Sequence, residues 1–106
     1  MYDSVARNNI VSNEDKCIFV SQSINNKVYG NNVSNCETGL DIFHNSDNNA
    51  VYNNTIANSV ISIGIEESGA GNKIHSNTII GAEKAVNIED SSIDEQTFLD
   101  NNKIIN

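Results

Sequence analysis

Proline and tryptophan are absent from this chain, leucine occurs only twice, and six Lys and Arg face fourteen Asp and Glu, for a formal charge of -8. Each shortage excludes something. A nucleic-acid surface needs a basic stripe, which so few cations do not supply, and the same deficit disfavours direct binding to an anionic membrane or glycan unless cations bridge the two. No run of 18 apolar residues exists, so a helical membrane span is not expected. The opening Met1-Tyr2-Asp3-Ser4 lacks a basic stretch followed by an apolar one, so no signal peptide is expected in it. Scarce leucine and alanine disfavour a helical protein. The 106 residues form a single domain whose core is modest in size, since a chain of this order buries ~60–70% of its surface on folding.

What the chain has in excess is asparagine, 20 residues, beside 15 isoleucines and 8 valines. They are placed periodically. The motif Asn-x-(Ile/Val)-x-(Asn/Gly) occurs at Asn9–Asn13, Asn31–Asn35, Asn54–Asn58, Asn77–Gly81 and Asn102–Asn106, with leading asparagines 22, 23, 23 and 25 residues apart. Three residues before each stands Ala6, Val28, Val51, Ile74 or Leu99. Nine and eleven residues after come the pairs Ile18/Val20, Leu40/Ile42, Ile63/Ile65 and Val86/Ile88, each with the period-2 alternation of a strand. Small residues (Cys17, Gly39, Ser62, Ala85) precede the pairs.

Each repeat therefore holds three short β segments with apolar residues inward and polar turns between them. A single coil cannot bury its apolar side. Stacked at ~4.8 Å per layer, coils pair each strand with its equivalents and turn single Ile or Val residues into continuous rows. Stacked asparagines hydrogen-bond amide to amide, and Asn also tolerates left-handed turns. Three ladders are expected: Asn9/Asn31/Asn54/Asn77/Asn102, Asn26/Asn49/Asn72 and Asn13/Asn35/Asn58. A missing proline fits, because proline removes a ladder bond. The fold class expected is all-β, a right-handed parallel β-helix of about four and a half coils over residues 1–106. A leucine-rich repeat has a similar period, but two leucines and no amphipathic helical half-repeat oppose it. Fixed offsets of Ile and Val oppose a disordered Asn-rich chain.

Two cysteines allow one disulfide. The register puts Cys17 and Cys36 on different rows, three residues apart along the chain, roughly 10 Å at strand rise. A bridge prefers about 5.5 Å between Cα atoms, so both are expected as unpaired wall residues.

The phrases Asn31-Asn32-Val33-Ser34-Asn35-Cys36-Glu37-Thr38-Gly39-Leu40-Asp41-Ile42 and Asn72-Lys73-Ile74-His75-Ser76-Asn77-Thr78-Ile79 resemble the right-handed parallel β-helix superfamily. The nearest group holds mannuronan C5-epimerase-type proteins, polysaccharide lyases and periplasmic carbohydrate-binding β-helix proteins, all with the pectin-lyase-like fold. The resemblance implies an extracytoplasmic or cell-surface carbohydrate-handling module. It also places a catalytic site on outward residues of the Gly-Leu-x-Ile strand, where epimerases carry Asp-Pro-His-Glu or Asp-Pro-His-Asp. Here Gly39-Leu40-Asp41-Ile42-Phe43-His44 supplies Asp41, with His44 one residue too far on and no proline. The signature is incomplete.

Three groups of candidate residues follow. Asp41 and His44 are the candidate acid–base pair for moving a sugar C5 proton. Tyr29, Tyr52 and His75 share one register position, with Lys27 and Lys73 two residues earlier, and form the candidate glycan-binding row. Glu66, Glu89 and Asp90 are candidate Ca²⁺ ligands, since the register stacks Glu66 on Glu89 and like charges one strand apart call for neutralisation. Each has a plainer alternative: a solvated acid and a turn histidine, ordinary wall packing, and splayed glutamates. No phosphate loop, zinc set or nucleophile triad is present. Neither terminus offers an amphipathic helix to cover an open coil. Either flanking coils of a longer solenoid or end-to-end self-association is therefore expected. The function expected is polysaccharide handling without a complete catalytic site. A non-enzymatic structural or surface-layer-like repeat and an active uronan epimerase or lyase are the alternatives.

Overall fold

In the computed structural model, residues 4–66, 71–89 and 95–105 are described. Every ladder between strands is parallel, and the chain winds through three sheets in turn. The first contains β1 (Val5–Arg7), β4 (Lys27–Tyr29), β7 (Ala50–Tyr52) and β10 (Lys73–His75). The second contains β2 (Ile10–Ser12), β5 (Asn32–Ser34), β8 (Thr55–Ala57), β11 (Thr78–Ile80) and β13 (Lys103–Ile105). The third has longer strands: β3 (Lys16–Ser21), β6 (Thr38–Phe43), β9 (Ile61–Glu66) and β12 (Lys84–Glu89). This is a parallel β-helix.

The register is the one the repeat dictates. Val11, Val33, Ile56, Ile79 and Ile104 lie one over the next in the second sheet. Ala6, Val28, Val51 and Ile74 do so in the first. Ile18, Leu40, Ile63 and Val86, with Val20, Ile42, Ile65 and Ile88, supply two rows from the third. Apart from Val11, at the first coil, they make one core running along the coil stack. β-Branched side chains suit it because each packs on an identical neighbour a layer away.

Asparagine has two separate tasks. In the first ladder, Asn31 donates Nδ2 to Asn54 Oδ1, Asn54 to Asn77 Oδ1, and Asn77 to Asn102 Oδ1, each at 2.9 Å. Asn26, Asn49 and Asn72 repeat this in the second ladder at 3.1 and 3.0 Å. The third expected ladder is a correction. Asn13, Asn35 and Asn58 face solvent and hold left-handed φ of 62°, 57° and 55°, with Gly81 at 65° continuing the column. They set the corner between the second and third sheets rather than bonding amide to amide. A corresponding column, Asn8, Gly30, Asn53 and Ser76, turns the chain from the first sheet to the second.

Two further expectations are corrected. Cys17 and Cys36 form a disulfide, with Cα atoms 6.1 Å apart. Three residues separate Cys36 from Gly39, the residue level with Cys17, but the chain bends at Glu37 and is extended only from Thr38 onward, so strand rise does not apply. A helix is also present: α1 (Glu95–Asn101) lies against β10, β12 and β13. Its buried residue is Phe98, 1% exposed, whereas Leu99, expected inward, is exposed. α1 takes the place of a fifth strand of the first sheet, with Asn101 C=O accepting from Ser76 N–H at 2.7 Å and Asn102 Nδ2 donating to Ile74 O at 3.2 Å. The opposite end of the core has no such cover among the described residues: Ala6, Val11 and Ile18 are only half-buried where Val28, Val33 and Leu40 are fully so.

Candidate functional site

The outer face of the first sheet is short of acids. Its strands read Val-Ala-Arg, Lys-Val-Tyr, Ala-Val-Tyr and Lys-Ile-His, with no Asp or Glu. Arg7, Lys27 and Lys73 stand on it, half of all the cations of a chain with charge -8. Strand alternation sends the central residue of each triplet into the core and the flanking two outward. The last residues therefore form a column, and the tyrosine and histidine rings stack: Tyr29 on Tyr52 with centroids 5.0 Å apart and planes 10° off parallel, then Tyr52 on His75 at 5.4 Å and 4°. Arg7 continues the column, its guanidinium 3.5 Å from the Tyr29 hydroxyl. The residues named for this row, Tyr29, Tyr52, His75, Lys27 and Lys73, are thus brought onto one face.

Ring on ring, the interior faces of the column are occupied by one another. What solvent meets is ring edges, the phenol hydroxyls and the outer face of His75. That end of the column opens into a cavity of about 310 Å³ between β10 and α1, lined by Asn72, Lys73, Ile74, His75, Thr97, Phe98 and Asn101. The volume is at the low end for small-ligand sites. His75 is fixed beside it by a 3.0 Å hydrogen bond between Nδ1 and Ser76 Oγ. α1 was not legible in the sequence, so the cavity was not either.

The acid–base candidates Asp41 and His44 share no hydrogen bond among the described residues. Asp41 is 1% exposed, and its Oδ2 accepts from Lys16 Nζ at 2.9 Å. Its Oδ1 is buried without a hydrogen-bond partner among the described residues. His44 occupies a corner, φ 47°, with its ring 5.8 Å from Phe43 and Nε2 3.5 Å from Asn45 Nδ2. Lys16 was missed because the repeat motif says nothing of outward residues. Its Nζ also lies 4.9 Å from the Phe19 centroid and 5.6 Å from that of Phe43. The Asp41 hydrogen bond is the largest cause raising the Lys16 ammonium above its ordinary pKa; desolvation opposes it, and the charges of Asp41, Glu66 and Asp15 add to the rise.

Glu66 and Glu89 are register partners on β9 and β12, while Asp90 lies outside the described residues. No group of three or more His, Cys, Asp or Glu is placed to hold a metal ion among the described residues.

The chain finds no match among curated proteins or among solved structures. A family model does match, over residues 1–73, and its description is periplasmic copper-binding protein (NosD). The match takes in the first three coils, with their asparagine ladders and apolar rows, so the chain belongs to the NosD family of parallel β-helix proteins.

Proposed function

We propose that the chain is a non-catalytic, extracytoplasmic β-helix module that binds an acidic polysaccharide along the outer face of its first sheet. The observation that carries this is the concentration of Arg7, Lys27, Lys73 and the Tyr29–Tyr52–His75 column on an acid-free face of an otherwise acidic protein. Carboxylates of a uronan pair with the cations, and a sugar ring at the cavity below α1 meets the free face of His75 with Phe98 behind it. Two features support this compartment. The family is named for the periplasm, and the Cys17–Cys36 disulfide persists in oxidising surroundings.

Copper, which the family's name mentions, does not fit the described residues. Copper selects thiolate, thioether and imidazole donors. Both cysteines are joined in the disulfide, His44 and His75 belong to different sides of the coil, and Met1 lies outside the described residues. Glu66 and Glu89, register partners one strand apart, are the pair at which Ca²⁺ would act.

Titration with oligomannuronate and oligogalacturonate, with and without Ca²⁺, tests the proposal, with neutral dextran as the control. Saturable binding to a uronan that falls with salt and is lost in Lys27→Glu/Lys73→Glu supports it. No binding in either condition sinks it and favours a structural repeat, the reading that the mutual burial of the column's rings supports.

A further inference from the structure

We propose that Phe19, Phe43 and Asp41 form a receptor for the ammonium group of a lysine side chain on a partner polypeptide, which Lys16 fills in cis until the partner's ammonium takes its place. The site lies on the outer face of the third sheet and is independent of the glycan-binding face.

Phe19 and Asp41 are register partners on β3 and β6, and Phe43 follows two residues after Asp41. The rings of Phe19 and Phe43 stand 5.9 Å apart, tilted by 32°, and form two walls. Asp41 is the floor. Gly64 is its neighbour on β9, and the absence of a side chain there lets the carboxylate lie flat: a Cβ on Gly64 would stand 2.8 Å from Asp41 Oδ1. Two aromatic faces and a buried carboxylate are the elements that recognise an ammonium group, the rings through their negative faces and the acid through charge and hydrogen bonding.

Lys16 shows that an alkylammonium fits, with Nζ 2.9 Å from Asp41 Oδ2 and within 6 Å of both ring centroids. Its occupancy is incomplete. The Lys16 side chain is 42% exposed, Phe19 is 48% exposed, and Asp41 Oδ1 has no hydrogen-bond donor among the described residues. The occupant of the receptor is thus a solvent-accessible residue held at its tip, one that a second ammonium can displace without opening the core. Asp15, Asp41 and Glu66 all act on the ammonium, which makes this face attractive to a cation, and a chain of charge -8 draws basic polypeptides in general. The half-exposed Phe19 ring supplies the apolar contact that interfaces build around an aromatic anchor.

The experiment uses Nα-acetyl-lysinamide as the probe and the Gly64 amide resonance as the reporter. Lys16→Ala vacates the receptor and is expected to bind the probe at least about tenfold more tightly than the wild-type chain, a difference of about 1.4 kcal/mol. Adding Asp41→Asn or Phe19→Ala to Lys16→Ala is expected to abolish binding. In the wild-type chain, excess probe is expected to move the Lys16 side-chain resonances from ring-shifted to solvent values, which decides the matter should Lys16→Ala not fold. Absence of saturable binding in a folded Lys16→Ala chain overturns the proposal. Equal binding with Asp41→Asn also does so, as does equal affinity for a glucosamine trimer, or wild-type Lys16 resonances that stay in place.

Discussion

Asn77 Oδ1 accepts two hydrogen bonds from Asn54, from its backbone N–H at 3.0 Å and from its Nδ2 at 2.9 Å. Asn54 Oδ1 does the same for Asn31, and its Nδ2 also reaches Val28 O at 3.1 Å. Asn54→Ala therefore strands buried donors of Asn31 in a dry interior. A destabilisation of about 2–4 kcal/mol is expected, several times that of Asn9→Ala, whose side chain faces solvent at the first coil. Urea denaturation of both variants checks it; equal losses would show that burial of the ladder is not what matters.

The parallel β-helix and its inward rows were legible because they are set by a period. Val33, Ile56 and Ile79 had to lie in one column once the 23-residue spacing was recognised, and they do. Other features sit where the period breaks or is silent. The bridge between Cys17 and Cys36 depends on the bend at Glu37, which shortens the three-residue path from Cys36 to Gly39 that an extended chain would stretch to roughly 10 Å. α1 falls in the last repeat, the one of 25 residues. A helix rises ~1.5 Å per residue against ~3.3 Å for a strand, so covering the same height takes more residues. That longer spacing was the available signal. The Tyr29, Tyr52 and His75 column was legible from register alone, whereas the cavity beside it and the Lys16–Asp41 pair depend on outward side chains that no repeat constrains.

The disulfide staples the coil stack at its uncovered end, across a sequence separation of 19. Closing a loop of that size stabilises by about 3 kcal/mol in the chain-entropy account. Reduction, or Cys17→Ser with Cys36→Ser, is expected to remove about that much. It is also expected to raise amide exchange first in β1, β2 and β3, because the end of a stack opens before its middle. Hydrogen exchange with and without a reductant reads both. Uniform acceleration across all coils would contradict the local role.

Gly39 and Gly64 are both buried on the third sheet, yet substitution by alanine should separate them. A Cβ on Gly39 would lie 2.6 Å from Ile56 Cγ2 and 2.8 Å from the backbone oxygen of Ser62, which has no freedom to retreat. A Cβ on Gly64 meets Asp41 Oδ1, the end of a side chain that turns. Gly39→Ala is expected to cost about 3 kcal/mol and Gly64→Ala about 1 kcal/mol. Lys16 should become more mobile in Gly64→Ala alone, since its acceptor is displaced. Thermal melts and Lys16 side-chain relaxation distinguish the two.

The Lys16–Asp41 pair sets an alkaline dependence of stability whose sign follows from the raised ammonium. Lys16 binds its proton more tightly in the folded chain, held by the hydrogen bond to Asp41 and by the charges of Asp41, Glu66 and Asp15, than in the unfolded chain near 10.5. Its contribution is fully present below pH 10.5 and disappears as pH rises through the higher folded value, because the unfolded state then releases the proton first. Solvent screening of a side chain that is 42% exposed keeps the contribution small. Lys16→Met retains the stem against Phe19 and Phe43 but loses the charge. The stability difference between wild type and Lys16→Met is expected to be flat from pH 7 to about 10 and to shrink above that. Guanidinium unfolding of both chains across the range measures it, and a difference that grows at high pH would mean that the ammonium is not the group responsible.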